Sequence, residues 1–294
     1  MGKPQLGLLA VAAAALMALA FAGPALATKP TGAYANFGDC PTKVTGVNLC
    51  VFGQTTSGKF VIGSTEVPIK KTITLQGGII EHGEIGNETF VNATDGNTLS
   101  KTSQTVPGGV LKLVAPSFFP EPLKKIWEEL IAKSALGASV TAELVGTIKI
   151  NRLALLTGAA DALSLPVRVH LENEFLGSKC YIGSSSKPVT IELTTGTTSP
   201  PLPNEPITGS IGEPEFKEEG NILVLKNNSL VNNTFSAPEA SGCGEQILFG
   251  LFTGIVDSAV GAEIGLPSTS GHNTAVLNGT LENANAEAVV KSEK

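Results

Sequence analysis

Charge is scarce in this sequence. Only 16% of its 294 residues are charged, and 26 acidic against 20 basic side chains leave a net charge of −6. That balance offers no electrostatic footprint for a phosphate backbone, so nucleic acid is excluded as an expected partner. Histidine and cysteine are also sparse, at 3 and 4, and too scattered to outline a transition-metal enzyme. No metal and no cofactor is therefore expected. Aromatics make up 5%, with a single Trp. The Gly-x-Ser-x-Gly elbow of a hydrolase is missing, and so are both Gly-rich nucleotide loops. Hydrophobic residues nevertheless reach 42%, too many for a disordered chain.

Residues 1–27 have the pattern of a secretory leader. Lys3 is a short positive region, Leu6 to Phe21 are an Ala/Leu-rich apolar run, and Gly23-Pro24 breaks it. Ala25-Leu26-Ala27 then forms a small-x-small cleavage site. The apolar run falls short of the ~20 residues a membrane span needs, which disfavours an uncleaved anchor. No Cys follows the cleavage site to take a lipid, and Leu266-Pro267-Ser268-Thr269-Ser270 lacks the Gly of a sortase signal. The expected product is secreted, or held at the cell envelope without a covalent anchor, and has no transmembrane span once the leader is removed.

All four cysteines lie in the exported part, which favours two disulfides over four buried thiols. Of the three connectivities, Cys40–Cys50 with Cys180–Cys243 is favoured, because the first closes a short loop that can be bridged early and the second then follows.

Most of the remaining chain reads as mainly β, an antiparallel sandwich or barrel-like pair of sheets. Val44–Phe52, Lys59–Ile62, Thr72–Leu75, Val110–Val114, Val140–Ile150, Val167–Glu172, Val189–Thr194, Ile222–Leu225 and Thr274–Leu281 are short segments rich in Val, Ile, Leu and Thr. In Val167-Arg168-Val169-His170-Leu171-Glu172 the apolar residues face one way and the charged ones the other, a strand with one wet face.

Two segments read as helices covering those sheets. Residues 121–136 place Leu123, Ile126, Trp127, Leu130 and Ile131 at helical spacing, with Lys124, Lys125, Glu128 and Glu129 opposite. Residues 245–260 are more apolar, with Leu248, Leu251, Phe252 and Ile255 among them. Thr194–Pro214 carries five prolines and reads as a stiff surface loop.

The two halves, 28–150 and 151–294, share patterns in the same order, either as an internal duplication or as parts of one continuous domain. Cys50-Val51-Phe52-Gly53 matches Cys180-Tyr181-Ile182-Gly183, and Thr141–Ile148 matches Thr274–Leu281. Between them Pro68–Leu75 matches Pro188–Leu193, and Asn87–Phe90 matches Asn232–Phe235. A duplication gives Cys50 and Cys180 separate partners, which agrees with the disulfide pairing above.

Candidate chemistry is thin. His82, His170 and His272 read as surface histidines, and Ser270-Gly271-His272 is the one pairing that suggests a dispersed hydrolytic triad. Glu213, Glu215, Glu218 and Glu219, interrupted by Lys217, read as a solvated turn. Asn87, Asn92, Asn227, Asn232 and Asn278 lie in Asn-x-Ser/Thr, glycan acceptors only in a eukaryotic secretory pathway.

Apolar surface remains. Leu123, Ile126, Trp127 and Leu130 on one helix, with Leu248, Leu251, Phe252 and Ile255 on the other, could close a cavity for an apolar small molecule or lipid. The alternative is that both stripes fill the core.

Phe175-Leu176-Gly177-Ser178-Lys179-Cys180-Tyr181-Ile182-Gly183-Ser184 and Ala240-Ser241-Gly242-Cys243-Gly244 resemble a group of secreted actinobacterial proteins with no known activity. Gly265-Leu266-Pro267-Ser268 and Asn273–Thr280 add to the likeness, which covers most of the exported chain. It implies a bacterial source and transfers no functional residue. The reading is a secreted, non-enzymatic, β-rich protein that binds an apolar ligand. The alternatives are a dispersed-triad hydrolase, an envelope pore and a purely structural surface protein.

Overall fold

The computed structural model describes residues 28–107, 117, 119–134, 137–245, 250 and 253–294, with the side chains of residues 127 and 130–134 left outside the description. The leader, Val110–Val114, Leu248, Leu251 and Phe252 therefore lie outside the described residues, as do the side chains of Trp127 and Leu130.

The strands in chain order are β1 (Leu49–Ile62), β2 (Thr65–Pro68), β3 (Ile73–Glu81), β4 (Glu88–Asn92), β5 (Gln104–Val106), β6 (Ala138–Leu144) and β7 (Lys149–Ile150). They continue with β8 (Leu163–Glu172), β9 (Tyr181–Ile182), β10 (Val189–Leu193), β11 (Glu213–Lys217), β12 (Ile222–Asn232), β13 (Ala240–Ser241) and β14 (Thr274–Asn285). The helices are α1 (Glu121–Ser134), α2 (Arg152–Thr157), α3 (Thr253–Ile264) and α4 (Ala286–Lys291).

The strands form two antiparallel sheets packed face to face, a sandwich and not a closed barrel. The first runs β11-β12-β14-β1-β3-β4 with β2 also on β1. The second runs β13-β9-β8-β6-β5 with β10 and β7 also on β8. Each sheet takes strands from both sides of residue 150. The matched segments of the two halves also pair differently: β1 is bonded to β3, whereas β9 and β10 each pair with β8.

Alternation explains β8, whose Leu163, Leu165, Val167 and Leu171 are buried in the inter-sheet core. β1 does not obey the sequence reading. The Gly53–Gly58 stretch was expected to separate two strands, but one 14-residue strand runs through it by means of a β-bulge between Thr55 and Ser57. β12 bulges at the same level, between Leu225 and Asn228. Both bulges face Gly279 of β14, which pairs with Thr55 on one side and Asn228 on the other. Bulges on both neighbours of one strand bend the first sheet sharply. The expected strand Val140–Ile150 is in turn divided into β6 and β7.

The outer face of the first sheet carries its own small core. A 3-10 turn over Gly32–Phe37 and helix α4 lay Phe37, Ala286 and Val289 on Cys50, Ile222, Val224 and Ala284. The Cys40–Cys50 disulfide fastens this layer, and Cys180–Cys243 fastens the second sheet, both as read from the sequence.

Helix α1 falls where periodicity placed it. Of the second apolar helix, α3 at Thr253–Ile264 is described; it follows Gly250 at φ +81° and ends before Gly265 at φ +82°, while residues 246–249, 251 and 252 lie outside the described residues. Its Asp257 carboxylate accepts a 2.7 Å hydrogen bond from the Cys243 N–H. Burial raises the Asp257 carboxyl above its ordinary range, a rise that the N–H groups of Cys243 and Gly242 only partly oppose. The charged form is thus disfavoured in the fold, and this group's contribution to stability is lost as pH rises through its folded pKa. Asp257→Asn keeps an oxygen acceptor without the charge. It should melt higher than the parent at pH 7, with the gap closing below about pH 4. Thermal melts across that range check this, and a gap independent of pH would contradict it.

Candidate functional site

A cavity of about 150 Å³ lies between the two sheets. The first sheet contributes Phe60 and Ile62 of β1, Ile73 and Leu75 of β3, Leu230 of β12, and Leu277 and Leu281 of β14. The second contributes Val140 and Ala142 of β6, Val167 and Val169 of β8, and Ile191 of β10. Leu155 of α2 and Ile264 of α3 complete the wall. Asn151 caps α2 by accepting from the Ala154 N–H, and Gly158 in the left-handed region stops the helix one turn later. That short helix is what presents Leu155.

The walls are apolar because inward positions of every strand alternate as they would in a filled core. The bent first sheet is what keeps them apart. Phe60, Ile73, Leu75, Val140, Val169 and Leu230 pack against the core yet stay only half-buried. An unfilled cavity of 150 Å³ forgoes on the order of 4 kcal/mol of packing, which an apolar occupant can recover. A dry cavity of similar size takes a benzene-sized molecule.

Of the ligand residues read from the sequence, the three whose side chains are described fall elsewhere. Leu123 and Ile255 pack partly buried against the core, Ile126 is 46% exposed, and none of the three lines the cavity. Helical periodicity marks which face is apolar, not what that face meets. Phe60, Ile73, Val140, Val169, Ile191 and Leu277 read from the sequence only as strand residues, whereas Leu155, Leu230 and Ile264 lie outside the segments read as strand or helix.

The outward face of the second sheet carries a polar cluster. Arg168 donates to Glu143 Oε2 through Nε at 2.9 Å and a terminal nitrogen at 2.6 Å, and sits 4.0 Å over the Tyr181 ring. His170 stacks on the same ring at 4.6 Å, with Nδ1 3.6 Å from Glu172 and 3.8 Å from Glu143. The sequence suggests a surface histidine, but the His170 side chain is only 17% exposed, held between two carboxylates and a ring.

Ser103, Ser139 and Thr141 all donate to Glu172, at 2.8–2.9 Å. Burial pushes the Glu172 carboxyl up, but the three hydroxyls and the charge of His170 outweigh it and hold the group below its ordinary range. Stability from this group is present above the unfolded carboxylate pKa of about 4.3 and is lost as pH falls through the lower folded value. Glu172→Gln should therefore be less stable than the parent at pH 7, and the difference should shrink below about pH 4. Urea midpoints measured at several pH values test this, and a constant difference would refute it.

The other sequence candidates are engaged locally. His82 Nε2 pairs with Thr89 Oγ1 at 2.8 Å, and His272 Nδ1 with Thr269 Oγ1 at 3.3 Å. Ser270 donates to the Thr234 carbonyl and not to His272. Glu215 is paired with Lys226 at 2.6 Å. Asn232 is buried and donates to the Glu192 carbonyl, a site with no room for a glycan. Among the described residues, no group of three or more His, Cys, Asp and Glu is placed to hold a metal ion, and no helix is long and apolar enough to cross a membrane. No protein-family model, curated protein or solved structure matches the chain.

Proposed function

We propose that this chain is an exported, non-enzymatic binding protein of the extracellular space or cell envelope, holding an apolar small molecule or part of a lipid between its two sheets. The observation that carries this reading is the inter-sheet cavity, walled by aliphatic and aromatic side chains from both sheets. Binding there is a matter of area removed from water and of dispersion, and it needs no reacting group. Two disulfides are consistent with an oxidising compartment.

The test is chemical. The chain, expressed with its leader and purified without detergent, should release an apolar molecule on solvent extraction, identified by mass spectrometry. Val169→Phe, which fills the cavity from β8, should retain the disulfides and release none. Equal recovery from both proteins, or none from the parent, overturns the reading.

A further inference from the structure

We propose that the cavity accepts only uncharged ligands, apolar molecules carrying at most a hydroxyl or carbonyl group, and shuts out carboxylates, phosphates and amines. This rests on the binding role proposed above and narrows it to a ligand class. Among the described residues, no Asp, Glu, Lys, Arg or His reaches the cavity. The nearest-built ionic system, Arg168 with Glu143 and Glu172, belongs to the outward face of the second sheet. Its strand neighbours Val167, Val169 and Leu171 are the residues that turn inward. An ionised ligand group would thus leave water without meeting a countercharge.

The polar members of the lining are neutral, and Gln104, Asn228, Ser100 and Thr102 already have side-chain partners within the protein. The Gln104 side-chain oxygen accepts from the Lys70 and Lys71 N–H groups at 2.9 and 3.0 Å, and its amide donates to the Lys71 carbonyl at 2.7 Å. Asn228 donates to the Leu225 carbonyl at 3.0 Å, and Ser100 and Thr102 bond each other at 2.8 Å. The hydroxyls of Thr55 and Thr65 have no partner among the described residues. Both stand on the inner face, Thr55 opposite Gly279 and Ile73 and Thr65 opposite Ile62, whereas Thr280 pairs with Gln54 on the outer face. A hydroxyl can donate to a carbonyl or accept from an alcohol, so each provides a neutral polar contact in a largely apolar wall.

Calorimetric titration of the disulfide-intact chain at neutral pH with toluene, benzyl alcohol and benzoate tests the inference, since the three share one ring of the size the cavity takes. Toluene and benzyl alcohol should bind, and benzoate should bind at least about a hundredfold more weakly than toluene. A smaller gap overturns the neutral-ligand inference and leaves the binding role standing. No binding by any of the three overturns both. In Thr55→Val/Thr65→Val the affinity for benzyl alcohol relative to toluene should fall by roughly five- to tenfold. An unchanged ratio would remove the two hydroxyls from the site.

Discussion

Gly279→Ala should destabilise the protein by at least about 3 kcal/mol, more than an ordinary overpacking change. A Cβ at this position would lie 1.7 Å from the Gln54 carbonyl oxygen and 2.8 Å from its carbon, both backbone atoms. Gln54 cannot step aside, because it faces Thr280 of β14 on one side and Thr74 of β3 on the other. The penalty would fall at the level where both neighbouring strands bulge, so the bend that keeps the cavity open depends on the missing side chain. Gly254→Ala is the control. It lies on the exposed side of α3 with nothing within 4 Å of its Cβ, and should be neutral or stabilising by about 0.5–1 kcal/mol. Urea unfolding of both variants decides the matter. A loss below about 1 kcal/mol for Gly279→Ala would mean that β1 and β14 can separate freely there.

Removing the Cys180–Cys243 bridge should be damaging on the same scale. It closes a loop of 63 residues, and chain entropy alone makes that worth roughly 4 kcal/mol, against roughly 3 for the ten-residue Cys40–Cys50 loop. For a domain of this size the larger loss corresponds to a fall of about 10 °C in melting temperature. Cys180, Cys243 and Cys50 are fully buried, so a reductant should act on them only when the surrounding structure opens. Melting curves of Cys180→Ser/Cys243→Ser and Cys40→Ser/Cys50→Ser should rank in that order. An unchanged midpoint for the first pair would show that β9 and β13 contribute nothing to the cooperative unit.

Parts of this architecture are plain in the sequence because one local rule suffices for them. The alternation of Val167–Glu172 assigns both faces of β8, and the spacing of Leu123 and Ile126 within charged neighbours marks α1. The cysteine pairing follows from loop length, since the short Cys40–Cys50 loop leaves Cys180 to Cys243. Other parts depend on partners far along the chain. Gly53, Ser57 and Gly58 look like punctuation between strands, yet opposite Gly279 they become a bulge inside one strand. β11 is Glu-Pro-Glu-Phe-Lys and reads as a charged turn, but at the sheet edge a proline needs no second partner.

The short strands β9 and β13 have two residues each and are held by the bridge between Cys180 and Cys243, which no propensity reports. The cavity is hidden for a related reason. Periodicity tells which way Val140, Val169 and Leu230 point but not how far away the opposite wall stands. His170 was placed on the correct face, but its enclosure by Glu143, Glu172 and Tyr181 comes from three other segments.

The order of strands in the first sheet has a consequence for biogenesis. β1 pairs along its length with β14, the last strand, and Thr31 donates to the Ser292 carbonyl beside them. For an exported chain, as proposed above, delivery amino end first leaves β1 without this partner until β14 has emerged. Until then the first sheet stays open, whereas both cysteine pairs, Cys40–Cys50 and Cys180–Cys243, lie ahead of β14 and can already oxidise. Emergence of β14, and not the synthesis of any earlier segment, is then the event that allows this sheet to close.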